Sequence, residues 1–144
     1  MLEKIIENTS EYIDSMPKTE RKKYGQFFTS IETARYMAEL FEIPITQDKI
    51  SILDAGAGSG ILSCAMIERL EYIDTVKKIE VFCYETDRNV MSLLQKNLNI
   101  AKEFSSKEVH FVIKEDNYIL SQYLDFNNMI GGNLNPPKYD VVIG

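Results

Sequence analysis

Asp54 opens the stretch Leu53-Asp54-Ala55-Gly56-Ala57-Gly58-Ser59-Gly60, while Glu85 and Asp116 each stand just beyond another apolar run. Glycine at 56, 58 and 60 lets the main chain turn sharply and lets a ligand approach the backbone with no side chain in the way. A dinucleotide site would space its glycines G-x-G-x-x-G and offer helix N-terminal amides to a pyrophosphate. Here the spacing is G-x-G-x-G. The carboxylate of Asp54 ahead of it repels a pyrophosphate and favours a cationic amino-acid group. S-adenosylmethionine carries such a group. The alternative is a glycine-rich strand-to-helix turn with no ligand.

Glu85 lies 31 positions after Asp54, at the end of Phe82-Cys83-Tyr84-Glu85-Thr86-Asp87. A carboxylate at a neighbouring strand tip can take both hydroxyls of a ribose. Both nucleoside cofactor classes use it so. Asp87 instead has the position of a cap for the next helix. Asp116 can accept a hydrogen bond from an adenine amine, with Asn117 beside it as donor or acceptor, although the same pair also suits an Asx turn. Three polar strand tips in one sheet are most simply explained by one nucleoside pocket.

These residues need a sheet to bring them together. Residues 50–56, 79–85, 109–113 and 139–144 read as strands, and 61–73 and 87–101 as helices between them. Strands alternating with helices predict an α/β fold, a parallel sheet with helices on both faces. Its ligands sit beyond the carboxyl ends of the strands. Ahead of it, Leu2, Ile5, Ile6 and Ile13 predict a helix ended by Pro17. A second helix follows from the spacing of Ile31, Ala34, Met37, Ala38 and Phe41, and Thr29-Ser30-Ile31-Glu32 has the T-x-x-E form of a capping box with Thr29 as N-cap. Residues 121–138 are rich in Asn and Gly and read as a loop, with a short helix at 121–124. The chain divides into an N-terminal helix and basic connector, 1–23, and a ligand-binding part, 24–144.

With 144 residues, 44% of them apolar, the chain suffices for one domain, and its net charge of -6 argues against a self-sufficient nucleic-acid binder. Lys18, Arg21, Lys22 and Lys23 form a local basic run that suits either phosphate contact or a solvated face. Cys64 and Cys83 make no C-x-x-C pair and read as buried reduced thiols, which fits the cytoplasm. No apolar run is long enough to span a membrane. No metal site is expected.

Gly25-Gln26-Phe27-Phe28-Thr29-Ser30, the glycine stretch, Cys83-Tyr84-Glu85-Thr86-Asp87, Glu115-Asp116-Asn117 and the closing Lys138-Tyr139-Asp140-Val141-Val142-Ile143-Gly144 together resemble the adenine-N6 DNA methyltransferases of restriction-modification systems. The order of the motifs is similar to the gamma class. The resemblance covers nearly all of residues 20–144. It implies a class I S-adenosylmethionine-dependent methyltransferase (Rossmann-like) fold, here a partial parallel sheet with N-terminal helices. It also implies that Gln26, Phe27, Phe28 and Thr29 lie against the methionine end of S-adenosylmethionine and that Asp54, Ala55, Gly56 and Gly58 hold its amino-acid portion. Glu85 would hold the ribose, Thr86 would flank the adenine, and Asp116 with Asn117 would bind it. Ser30 stands where the family usually has Pro, Thr86 where it commonly has an apolar residue, and Asn117 where it frequently has Phe.

The family's catalytic signature, Asn/Asp/Ser-Pro-Pro-aromatic, follows the fourth strand. There Asn and the first Pro carbonyl bind the N6 amine of a flipped-out adenine, and the aromatic residue stacks on it. Asn135-Pro136-Pro137 precedes that strand and is followed by Lys138, which cannot stack, so it reads as a loop. The true signature is expected immediately after Gly144, leaving no catalytic residue in this chain. The expected protein is thus the cofactor-binding fragment of a DNA methyltransferase, with duplex DNA contacted by regions outside it. Methylation of RNA or of a protein glutamine is the related alternative, against which the Gly25–Ser30 motif argues. A cytosine-5 enzyme would need a Pro-Cys nucleophile, and none is present. A non-catalytic assembly module, dimerising through an exposed sheet edge, is the alternative from another class.

Overall fold

The computed structural model describes residues 1–18, 28–44, 46–122 and 137–144. Four strands, β1 (Lys49–Asp54), β2 (Lys78–Tyr84), β3 (Glu108–Lys114) and β4 (Val141–Ile143), form a parallel sheet in the order β3-β2-β1-β4. The four helices described in full are α1 (Leu2–Ser15), α2 (Ile31–Glu39), α3 (Ile61–Leu70) and α4 (Arg88–Phe104).

Strand alternation assigns the faces. Ile50, Ile52, Ile79, Val81, Cys83, Val109, Val141 and Ile143 point into one core with the helices. The crossovers β1-α3-β2 and β2-α4-β3 advance in the same direction across the sheet, so right-handed connections put both helices on that face. These four helices thus lie on one side of the sheet. The connection from β3 back past β1 to β4 reverses direction. Its two described ends lie on the other face, with Tyr118 edge-on to Tyr84 and Tyr139 edge-on to Phe82. The reversal puts the topological switch point between β1 and β4.

Each helix follows from its residues. α4 buries Val90, Leu93, Leu94, Asn97, Leu98 and Ala101, a stripe at helical spacing, and Asp87 caps it by accepting from the Asn89 amide at 2.9 Å. α3 is buried nearly all round because it lies beneath the other helices as well as on the sheet. α1 ends at Ser15, ahead of Pro17, and its Leu2 and Ile5 are fully buried in the same core. Arg35 of α2 joins three helices, 2.8 Å from Glu3 of α1 and 2.7 Å from Glu68 of α3.

One cap differs from expectation. The N-cap of α2 is Ser30, not Thr29: its Oγ accepts from the Thr33 amide at 3.2 Å and pairs with the Thr33 hydroxyl at 3.1 Å. Both residue types cap well, and sequence spacing alone did not separate them. The short helix expected at 121–124 begins earlier, at 118. Asn117 caps it, accepting from the Leu120 amide at 3.1 Å.

Candidate cofactor site

The carboxyl ends of β1, β2 and β3 carry the acidic residues, as the spacing predicted. Asp54 is the last residue of β1, Glu85 follows β2, and Asp116 lies two beyond β3. They serve different ends.

Glu85 is fixed by backbone amides. Its Oε1 accepts from Thr86 at 2.7 Å and from Asp87 at 2.8 Å, and its Oε2 accepts from Gly58 of the glycine loop at 2.8 Å. A carboxylate offers about four lone-pair sites. Three donors therefore leave room for one more before a loop amide must be displaced. The side chain is set before any ligand arrives, and it links two strand tips.

Asp54 is fully buried, with Oδ2 accepting from Ser63 Oγ of α3 at 2.6 Å. Burial raises its pKa to about 6, opposed by the Ser63 hydroxyl and by the Gly56 and Ser63 amides, with the Glu85 charge adding to the rise. Its Oδ1 has no hydrogen-bond partner among the described residues. Beside it, burial pushes the Cys83 thiol up to about 12, helped by Asp54 and opposed by Ser63. Burial likewise raises Cys64 well above the ordinary thiol range. Both thiols are free and buried, as their sequence setting implied, and neither is poised as a nucleophile.

The glycine loop divides its work. At Gly56 an added Cβ would meet nothing within 4 Å, so the backbone there is open to approach. Gly58 and Gly60 adopt φ of 51° and 78°, and a Cβ on Gly60 would stand 2.7 Å from Leu94 Cδ1 of α4. Gly60 thus permits close helix packing, while Gly56 leaves open space beside the backbone. Ala55 and Ala57 have their amides occupied by Ile143 O at 3.1 Å and Tyr84 O at 2.9 Å.

An apolar cleft of about 470 Å³ opens at the switch point, lined by Ala55, Gly56, Val142, Ile143, Met37 and Phe41. Met37 of α2 and Phe41, just past its end, entered the sequence reading only as core positions. Their helical period signalled burial but not the strand tips they would meet.

Other expected residues lie elsewhere. Phe28 packs on Val90 and Leu93 at the start of α4, together with Tyr12 and Met16 of the N-terminal segment. It is not among the residues lining the cleft. Thr29 is half-buried between Phe28 and the Ser30 cap, and Thr86 is exposed. Asp116 and Asn117 are exposed and close their own turn, Asp116 Oδ1 accepting from the Asn117 amide at 2.8 Å. Gln26, Phe27, Arg21, Lys22 and Lys23 lie outside the described residues, as do Asn135 and Pro136. Pro137 and Lys138 are exposed ahead of β4. They belong to its amino end, because Asp140 accepts from the Ser51 amide at 2.7 Å and Asp54 pairs with Ile143 at the other end.

These residues fit S-adenosylmethionine on three counts: the bare backbone at Gly56, the unpartnered buried oxygen of Asp54, and the open lone-pair site on Glu85.

Residues 4–143 match the family described as N-6 DNA Methylase. The type II methyltransferase M.PstI of Providencia stuartii is 32% identical over 99 residues, 68% of this chain and 19% of that protein. M.BsuBI of Bacillus subtilis is 31% identical over 98 residues, 66% of this chain and 19% of that protein. The ribosomal RNA small subunit methyltransferase A of Fusobacterium nucleatum is 33% identical over 96 residues, 67% of this chain and 31% of that protein. The matched region is thus a third or less of each relative. Among solved structures, an O-methyltransferase fold from Klebsiella pneumoniae superposes with TM-score 0.53 at 17% identity, covering 98% of this chain and 50% of that one. Its likeness shows the fold.

Proposed function

The chain belongs to the N-6 DNA methylase family, and from that premise we propose that it is the S-adenosylmethionine-binding part of a DNA adenine-N6 methyltransferase. Glu85 carries the reading: the glycine loop and the β2 tip converge on one carboxylate that can still take a ribose hydroxyl. Asp54, Ala55, Gly56 and Gly58 hold the amino-acid end. Phe28 and Thr29, with Gln26 and Phe27, cover the cofactor, and Thr86, Asp116 and Asn117 border its adenine. When bound, the cofactor supplies an electrophilic methyl group on a sulfonium. The chain's own residues orient it and shield it from water.

The carboxyl end of β4 lies beside Ala55 and Gly56, across the cleft from Met37 and Phe41. That is the end of the strand which the family's Asn/Asp/Ser-Pro-Pro-aromatic signature follows. In this reading residues 1–144 supply cofactor binding, and transfer to adenine is an activity of the whole protein. With a net charge of -6, they leave duplex DNA to other regions of the whole protein, in a cytoplasmic setting. No helix among the described residues is long and apolar enough to cross a membrane. The ribosomal RNA relative supports a second reading, in which the adenine belongs to RNA. Methyl transfer by the whole protein to duplex DNA, compared with structured RNA, separates the two.

The cofactor reading is tested by calorimetric titration of the chain with S-adenosylmethionine, wild type against Glu85→Ala. Saturable binding that weakens by the roughly 1.5–3 kcal/mol typical of a charged hydrogen bond supports it. Absence of heat from folded wild-type protein would overturn it.

A further inference from the structure

Asn97 is a polar side chain on the buried stripe of α4 and is wholly removed from solvent. Its Nδ2 donates to the Ser59 carbonyl of the glycine loop at 2.8 Å and to Thr9 Oγ1 of α1 at 3.2 Å. Its Oδ1 accepts from Asn8 Nδ2 of α1 at 2.6 Å. Thr9 in turn donates its hydroxyl to Ile5 O at 2.7 Å, so it is the acceptor toward Asn97. Asn8, Thr9 and Ser59 are also buried. A carbonyl can only accept, so Nδ2 must face Ser59 and the amide cannot flip. The donor directions are therefore fixed: Asn8 of α1 donates to Asn97 and Asn97 to the Ser59 carbonyl of the loop, while a branch returns from Asn97 through Thr9 to Ile5 O of α1.

The place it reaches is specific. Ser59 lies between Gly58 and Gly60, the two loop residues with positive φ. The Gly58 amide is held by Glu85 and the Ser59 carbonyl by Asn97, so the turn is held from both sides. Further along, Tyr12 of α1 and Met16, just past its end, pack with Phe28 on Val90 and Leu93. The Tyr12 hydroxyl also donates to Asn89 O. One N-terminal helix thus braces both the loop and the segment proposed to cover the cofactor.

Resting on the cofactor reading above, we infer that Asn97, backed by Asn8 and Thr9, is a positioning residue for S-adenosylmethionine binding, and that α1 is part of the cofactor-binding machinery. A buried polar relay could hold α1 to the core with no bearing on the ligand. What separates the two is the bond to Ser59, which fixes a peptide plane inside the loop.

The experiment measures S-adenosylhomocysteine affinity by calorimetry at a temperature where every variant is folded, together with amide exchange at Gly58 and Gly60. It compares wild type, Asn97→Ala, Asn8→Ala and Val76→Ala. Val76 is buried at the amino end of the sheet, ahead of β2, and its variant supplies destabilisation away from the loop. Positioning predicts Kd raised roughly three- to tenfold in Asn97→Ala, the worth of one buried hydrogen bond. A smaller rise is expected in Asn8→Ala, with faster Gly60 exchange in both. Val76→Ala should lower the melting temperature and leave Kd and Gly60 exchange unchanged. If Asn97→Ala does not fold, Asn8→Ala and Thr9→Val decide the matter on the same readouts. Wild-type affinity in the relay variants, or an equal loss in Val76→Ala, overturns the inference and spares the cofactor reading. No binding by folded wild type overturns the cofactor reading itself.

Discussion

Two carboxylates at adjacent strand tips have opposite environments. Glu85 accepts three amides at the surface of the loop, whereas Asp54 is buried with one oxygen unpartnered. A folded pKa of about 6 against 3.8 fixes the sign of the Asp54 contribution. Between those values the folded chain binds more protons than the unfolded one, so this group's contribution falls as pH rises through the window. It is fully unfavourable above about 6, by roughly 2–3 kcal/mol. Asp140 behaves in the opposite way. Against the rise from partial burial, the Ser51 hydroxyl and amide and Gln47 hold its pKa below the ordinary value, so its contribution is lost as pH falls. Total stability mixes such groups, and the informative quantity is the difference between wild type and Asp54→Asn. Chemical denaturation at pH 4.5 and at pH 7.5 should show the variant gaining on wild type by roughly 2 kcal/mol between the two. Parallel pH profiles would show that Asp54 titrates normally. The acidic tips were legible because strand ends follow from hydrophobic runs. The division of labour between them was not, because it depends on Ser63 and Gly58 arriving from other elements. Asn97 was a visible signal, a polar residue on an apolar stripe, whose meaning required its three partners.

At the scale of elements, the strands and helices followed from hydrophobic period, and the Asp87 cap from its position ahead of α4. The Ser30 cap and the start of the turn at 118 did not, because neighbouring polar residues compete for such positions with nearly equal intrinsic preference. Gly60 joins element to element most tightly. Alanine there meets both a φ of 78° and Leu94 Cδ1 at 2.7 Å. Left-handed strain and overpacking each cost about 1–3 kcal/mol, so Gly60→Ala should destabilise the fold by at least about 2 kcal/mol in a denaturant titration. Gly56→Ala meets neither obstacle and should stay within about 1 kcal/mol of wild type. Its effect should appear in cofactor affinity instead. Equal losses of stability in the two variants would mean that the loop has no ligand-facing side.

At the scale of the molecule, α1 to α4 cover one face of the sheet, which among the described residues has four strands with β3 and β4 at its edges. The parallel sheet was legible from strands alternating with helices. The reversal from β3 to β4 was not, because strand order is a property of crossover direction that no local pattern encodes. The two edges differ in chemistry. β3 carries Glu108, His110 and Lys114, side chains that discourage a second strand from pairing there. β4 is Val-Val-Ile with no charge inside it, and Val142 is 55% exposed. Residues 1–144 on their own should therefore self-associate through β4, with a sedimentation coefficient that rises over a roughly hundredfold range of concentration. Val142→Lys places a charge on that edge and should return the chain to monomer, while Val112→Lys on β3 should leave association intact. A monomer at every concentration, or equal loss of association in both variants, would place the contact elsewhere. Because Val142 also lines the cleft, a ligand that seats against β4 should compete with self-association. Adding S-adenosylhomocysteine should then shift the equilibrium toward monomer in wild type, in proportion to its affinity for the free chain.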